Sequence, residues 1–208
     1  MTDARLDSRF VTKRPALGRR LKVIGAMVLT AVILLGIETF VAQPFKVELA
    51  AMETTVLTDQ YVIVDKLTPH WTTYARGDIV VFAPPSPYSG PNGEPFIKRV
   101  IGLAGDHVEL KDGKVYVNGR ALDEPYVFTE GDARQGTDPT PGAPSEWLVP
   151  GGELFVMGDQ RRASADSRSF GPIGVSLVIG RAWVRVWPID AFGILPTPSY
   201  SAVERTSP

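Results

Sequence analysis

The sequence contains no cysteine and only two histidines in 208 residues. The first absence excludes a disulfide scaffold and any chemistry or metal ligation that runs through a thiolate. It does not locate the protein, because a cysteine-free domain suits an oxidising compartment as well as a reducing one. His70 and His107 stand apart with no ligand-spaced partner, so no metal centre is expected. There is no glycine-rich phosphate loop and no basic patch interleaved with aromatics, so neither a nucleotide cofactor nor a nucleic-acid partner is expected, and no other cofactor is implied. No internal repeat is present, and beyond residue 43 no stretch keeps a helical period.

Hydrophobic residues make up 44% and charged residues 22%, which fits a globular core. The length allows one ordinary domain plus an appendage. A net charge of −1 hides an asymmetry. Arg5, Arg9, Lys13, Arg14, Arg19, Arg20 and Lys22 face only Asp3 and Asp7 in the first 22 residues, and the rest of the chain is acidic on balance.

The basic segment 1–22 precedes "VIGAMVLTAVILLGIETFVA" (23–42), which has about the length needed to cross a bilayer core as a helix. Its uninterrupted apolar part ends at Ile37, which leaves Glu38 near the interface, where a carboxylate is tolerable. A cleavable secretory signal shares the basic flank and apolar core. Phe40, at −3 relative to a cut after Ala42, where a small residue is wanted, and the following Gln43-Pro44 favour an uncleaved anchor. The positive-inside rule keeps 1–22 cytoplasmic and places residue 43 onward outside a plasma membrane that the chain crosses once.

Beyond the anchor, "YVIVDKL" (61–67), "DIVVFA" (78–83), "FIKRVIGL" (96–103), "ELFVMGD" (153–159) and "VIGRAWVRVWPI" (178–189) read as strands. In 107–122, Val108, Leu110, Val115 and Val117 alternate about Asp112-Gly113, and Asn118-Gly119 offers a second turn. Segments 84–95 and 129–150 are rich in turn formers and read as strand-free. The tail 195–208 reads as poorly ordered. The expected class is all-β, a partly open barrel or sandwich of coiled antiparallel sheets spanning 43–194, preceded by one transmembrane helix.

Two places could carry chemistry. Lys98 sits mid-strand among apolar residues whose alternation leaves it on either face: an outward lysine, or a desolvated amine able to act as a base. Arg99 takes the opposite face, so one of the two must face inward or line a cleft. In "MGDQRRASADSRSFGPIG" (157–174), Asp159, Arg161, Ser164, Asp166, Ser167 and Arg168 form either a solvated turn or an ordered loop that positions a catalytic group.

"RGDIVVFAPP" (76–85), "IKRVIGLAGD" (97–106), the 157–174 segment and "IGRAWVRVWP" (179–188), in that order, make the chain resemble the type I signal peptidases. These are membrane-anchored serine endopeptidases that remove signal peptides from exported precursors. The resemblance implies signal-peptide-bearing precursors as partners, membrane lipid around the anchor, and a Ser/Lys dyad in which a neutral lysine takes the serine proton. It assigns the general-base position to Lys98, the lysine-orienting serine to Ser164, the bracing ion pair to Asp166 and Arg168, and the residue after the nucleophile to Met52.

The nucleophile box departs from the pattern. Ala51 occupies the serine position, Leu49 the position two before it, where a hydroxyl can help bind the oxyanion, and Thr54 a proline position. Milder changes are Ala104 for proline and Gln160 for asparagine. A methyl group cannot form an acyl-enzyme. Loss of an oxyanion donor costs roughly a hundred- to a thousand-fold, and loss of the nucleophile on the order of a million-fold. A substitute nucleophile at Thr54 or Thr55 would require a rebuilt loop. The departures together predict a catalytically impaired member. The alternative, of a different class, is a non-cleaving β-domain that binds signal-peptide ends or a membrane partner. A membrane-tethered relative of the self-cleaving repressors fits less well and would lack the same serine.

Overall fold

A computed structural model describes residues 16–67, 73–88, 93–198 and 200, so His70 lies outside the described residues. Helix α1 (Ala16–Phe40) and the chain from Phe40 onward form separate units. The helix begins before the apolar run, taking in Arg19, Arg20 and Lys22, and Ala42 already belongs to the first strand. Side chains of α1 are described from Gly18 to Gly36, and Leu21, Ile24, Met27, Leu29, Leu34 and Leu35 are each more than half exposed. Among the described residues no helix is long and apolar enough to cross a membrane.

The second unit is built from β1 (Ala42–Lys46), β2 (Tyr61–Asp65), β3 (Ile79–Phe82), β4 (Phe96–Gly102), β5 (His107–Lys111), β6 (Lys114–Val117), β7 (Arg120–Ala121), β8 (Thr129–Glu130), β9 (Ala133–Arg134), β10 (Glu146–Leu148), β11 (Glu153–Met157), β12 (Ile173–Gly174), β13 (Val178–Trp187) and β14 (Gly193–Ile194). A four-residue helix, α2 (Ser167–Phe170), lies between β11 and β12. The main sheet runs β1-β2-β13-β3-β4-β11-β12 with β14 on β13, and its pairs are antiparallel. Register shifts within β11 and β13 bend those strands, and the sheet curls into a half-barrel. The all-β class read from the sequence is the observed one.

Strand β3 reads Ile-Val-Val-Phe without polar alternation because both of its faces are covered. Ile79 and Val81 pack with Val47, Met52 and Val62, whereas Val80 and Phe82 pack with Val100, Val156 and Ile173. The second sheet, β10-β5-β6-β7, lays Val108, Leu110, Val115 and Val117 against Phe155 and Met157. Its turns use positive φ at Asp112-Gly113 (52° and 70°) and Asn118-Gly119 (52° and 76°), as the hairpin signals require.

Three expectations are corrected. Segment 129–150 does hold strands: β8 pairs with β9, and β10 extends the second sheet along β5. They are two or three residues long, so pairing partners and not intrinsic preference set them. Strand β1 carries no strand signal because it contains Pro44, yet an edge strand tolerates a residue without an N–H. Past Ile194 the chain is not loose at its start: Leu195 and Tyr200 are buried, and the Pro196 carbonyl accepts from Arg99 at 3.2 Å.

Candidate active site

Strand β4 carries Lys98 and Arg99 side by side, and both are buried, at 1% and 0% exposure. Alternation along the strand places Lys98 on the face of Phe96, whose ring centroid lies 4.9 Å from Nζ, and Arg99 on the other face. Burial pushes the Lys98 pKa down to about 8; Asp166 and Asp159 oppose the shift and Arg168 adds to it. These charges act only through space, because Nζ has no hydrogen-bond or ion-pair partner among the described residues. At pH 7 the amine is therefore largely protonated, with no anion in contact.

Arg99 is paired. Its Nε and Nη2 donate to the two Asp159 carboxylate oxygens at 2.8 and 2.7 Å, and Nη1 donates to the Gly77 carbonyl at 2.9 Å. The Arg99 guanidinium stacks 4.1 Å from the Tyr126 ring centroid. From Tyr126 the network continues to Glu124 and, through it, to Arg161, while the Tyr200 hydroxyl donates to that of Tyr126 at 2.7 Å. Such a two-pronged charge pair fixes orientation as well as energy.

Residues 50–52 form a single 3-10 turn in which Ala51 and Met52 are buried. The Gln160 N–H donates to the Ala51 carbonyl at 3.0 Å, and the Gln160 side chain donates to Glu53 at 2.8 Å. Gly158 makes the fit possible: a Cβ there would lie 2.3 Å from Ser164 Oγ and 2.6 Å from the Ala51 carbonyl oxygen. The turn packs on β4 and on the 161–163 turn, which brings it beside the strand of Lys98 and the segment leading to Ser164. Neither threonine is a ready substitute. Thr55 is buried with its hydroxyl given to Asp159, and Thr54 is exposed in a backbone conformation with φ 93°.

Asp166 caps α2 and receives Arg168 Nε and Nη2 at 2.8 and 2.9 Å, plus the Gly158 N–H at 3.0 Å. Burial works to raise the Asp166 pKa, but the Arg168 hydrogen bonds and charge hold it below the ordinary carboxylate value. Ser164 lies close enough to add to that lowering, yet its buried Oγ meets no hydrogen-bond geometry with any partner. The 157–174 segment is thus an ordered loop and not a solvated turn: Asp159, Arg161, Asp166, Ser167 and Arg168 are all buried.

A cleft of about 460 Å³ opens beside Lys98, lined by the extended segments Pro44–Leu49 and Glu94–Lys98 together with Tyr88. Strand β1 pairs only with β2, and β4 meets β11 only from Arg99 onward, so both segments keep one backbone edge unpaired among the described residues. Leu49 stands 53% exposed in the lining. Tyr88 is held there by its hydroxyl, which donates to the Ser169 carbonyl at 3.0 Å. The sequence gives no signal for the Thr55–Asp159, Tyr126–Tyr200 and Tyr88–Ser169 contacts, because each joins residues dozens of positions apart. No group of three or more metal-ligating side chains occurs among the described residues.

The signal peptidase family, peptidase S26, matches residues 20–187. The chain belongs to that family, whose substrates are signal-peptide-bearing precursors. It is 38% identical over 184 residues to signal peptidase I of Leptolyngbya laminosa, covering 86% of this chain and 85% of that protein. The probable signal peptidase I-2 of Synechocystis sp. is 36% identical over 187 residues, 89% of this chain and 82% of the other. Signal peptidase IB of Staphylococcus aureus is 33% identical over 170 residues, 77% and 86% of the two. Among solved structures, a signal peptidase I from Enterococcus faecalis matches at 33% identity and a TM-score of 0.42, covering 53% of this chain and 97% of that one.

Proposed function

We propose that this chain is a membrane-anchored member of the family that binds the ends of signal peptides and is impaired in cutting them. The observation that carries the reading is Ala51, buried at the position where the family pattern has its serine and locked by Gln160 and Gly158, near a Lys98 with no hydrogen-bonded hydroxyl among the described residues. On this reading Lys98 is the remnant of the general base, Ser164, Asp166 and Arg168 are its supports, and Leu49 and Met52 flank the former oxyanion region. The two unpaired edges beside the cleft suit an extended peptide that adds as a strand, with backbone hydrogen bonds giving affinity and side-chain pockets giving selectivity.

The anchor in this proposal is 23–42, with 1–22 cytoplasmic, 43–194 outside the plasma membrane and 195–208 a tail. Support comes from the uncharged run Val23–Ile37 and the seven basic residues before it. Lys22 and Arg20 can reach outward along the helix to the headgroups. The exposed side chains Trp183, Trp187, Ile189, Phe192 and Ile194, all at the β13–β14 end, favour lipid contact by the β-domain as well.

The test is incubation of the detergent-solubilised protein with a labelled precursor carrying an Ala-Xaa-Ala site. No product above that of Lys98→Ala is expected. Cleavage that Lys98→Ala abolishes would overturn the proposal and point to Thr54, the exposed hydroxyl of the turn.

A further inference from the structure

Lys98 poses an electrostatic problem that the described residues do not solve. A buried cation is costly unless a counter-charge or hydrogen bonds compensate it, and among the described residues Nζ has neither. Asp166 is committed to Arg168 and the Gly158 N–H, Asp159 to Arg99 and Thr55, and Glu53 to Gln160, while Glu48 and Glu94 line the same cleft without forming an ion pair with Lys98. The turn Ala50–Met52 and strand β3, both packed on β4, bring no polar side chain at all. What Lys98 does meet is the cleft, an open and mainly apolar space between two strand edges.

We propose that the anion is supplied by the ligand: the cleft takes the C-terminal carboxylate of a peptide ending in a small residue, paired with Lys98. The chain is then a receptor for signal peptides that have already been cut. This rests on the reading that the cleft binds signal-peptide ends, and it narrows that reading from precursor to product. An intact precursor offers Lys98 a neutral amide at that point and must also continue its chain past the Ala51 turn. A cut peptide offers a full negative charge and ends there. A carboxylate accepting from an ammonium forms the stronger, charge-assisted type of hydrogen bond.

The proposal carries a pH dependence. The titratable groups around Lys98 are Asp166 and Arg168 at α2, Asp159 after β11, and Lys46, Glu48 and Glu94 along the cleft. Despite its burial, Asp166 is held below the ordinary carboxylate value by Arg168, and Lys46 is held above the ordinary lysine value by its hydrogen bond to Asp59. Burial pushes the Lys98 pKa down to about 8, so binding of the carboxylate should be full near pH 6 and fall as pH rises past about 8.

The experiment is fluorescence anisotropy on the full-length protein in detergent micelles. The probes are a labelled signal peptide ending in Ala-Xaa-Ala as the free acid, and the same peptide amidated at its C-terminus. The acid should bind roughly tenfold or more tighter at pH 7. The gap should close toward pH 9 and vanish in Lys98→Met, which keeps the volume and removes the charge; Lys98→Arg should retain part of it. Circular dichroism checks that both variants fold. Equal affinity for acid and amide would overturn the carboxylate proposal while leaving peptide binding intact. A gap that survives Lys98→Met would remove Lys98 from it. Binding of neither peptide would overturn the function proposed above, and this inference with it.

Discussion

The Thr55 hydroxyl donates to the Asp159 carboxylate at 2.5 Å, across 104 positions of sequence. The same oxygen accepts from Arg99 at 3.0 Å, so the threonine completes a buried charge pair instead of standing free as a nucleophile. Thr55→Val should therefore lower stability by about 1–3 kcal/mol, the cost of leaving buried polar partners short of one bond. Urea unfolding measures this. Proteolytic activity should be absent before and after the change, and an unaltered midpoint would mean that the hydroxyl is dispensable to the network.

Lys98 should give the folded protein a rising stability at alkaline pH. Its folded pKa of about 8 lies below the ordinary 10.5, so between those values the unfolded chain binds more protons than the folded one. Stability then increases with pH across that window, by about 3 kcal/mol in the limit. Thermal melts of wild type and Lys98→Met from pH 7 to pH 10 separate this effect from other titrations. Lys98→Met should be the more stable at pH 7, and the difference should shrink toward pH 10; parallel curves would mean that the amine is hydrated.

Restoring the serine alone should restore little. Ala51→Ser supplies a nucleophile, but Leu49 still has no donor for the oxyanion. Adding Leu49→Ser should raise the precursor cleavage rate of Ala51→Ser roughly a hundred- to a thousand-fold. Single-turnover kinetics on the two variants tests this. Two silent variants would indicate that the turn itself no longer presents residue 51 to a substrate.

The exposed indoles offer a direct view of lipid contact. In protein reconstituted with brominated lipids, Trp183 and Trp187, 45% and 53% exposed, should be quenched, whereas partly buried Trp147 should be spared. The double variant Trp183→Phe, Trp187→Phe should lose most of the quenching. Quenching that persists there would move the contact away from the β13–β14 end.

Sequence patterning located most long strands within a residue or two, because β2, β3, β4, β11 and β13 owe their form to local runs of β-branched and aromatic residues. It failed at β1 and β8 to β10, where pairing with a distant strand decides the outcome. At the site, the chain order of motifs points to Lys98, Ser164, Asp166 and Arg168, and of these Lys98, Asp166 and Arg168 are buried. Local pattern left the direction of Lys98 open and required only one of Lys98 and Arg99 to turn inward. Both are buried because the curled sheet is covered on two faces, which no strand reveals by itself.

Thr54 adds a backbone obstacle to the chemical ones. Its φ of 93° is a conformation that a β-branched residue rarely adopts and that the ring of proline, the residue the family pattern places there, cannot reach. A chain given serine at position 51 would still carry Leu49 and a backbone at 54 that refuses proline. Substituting the residues of the pattern one at a time therefore meets a conformational barrier at position 54 in addition to the chemical changes at 49 and 51.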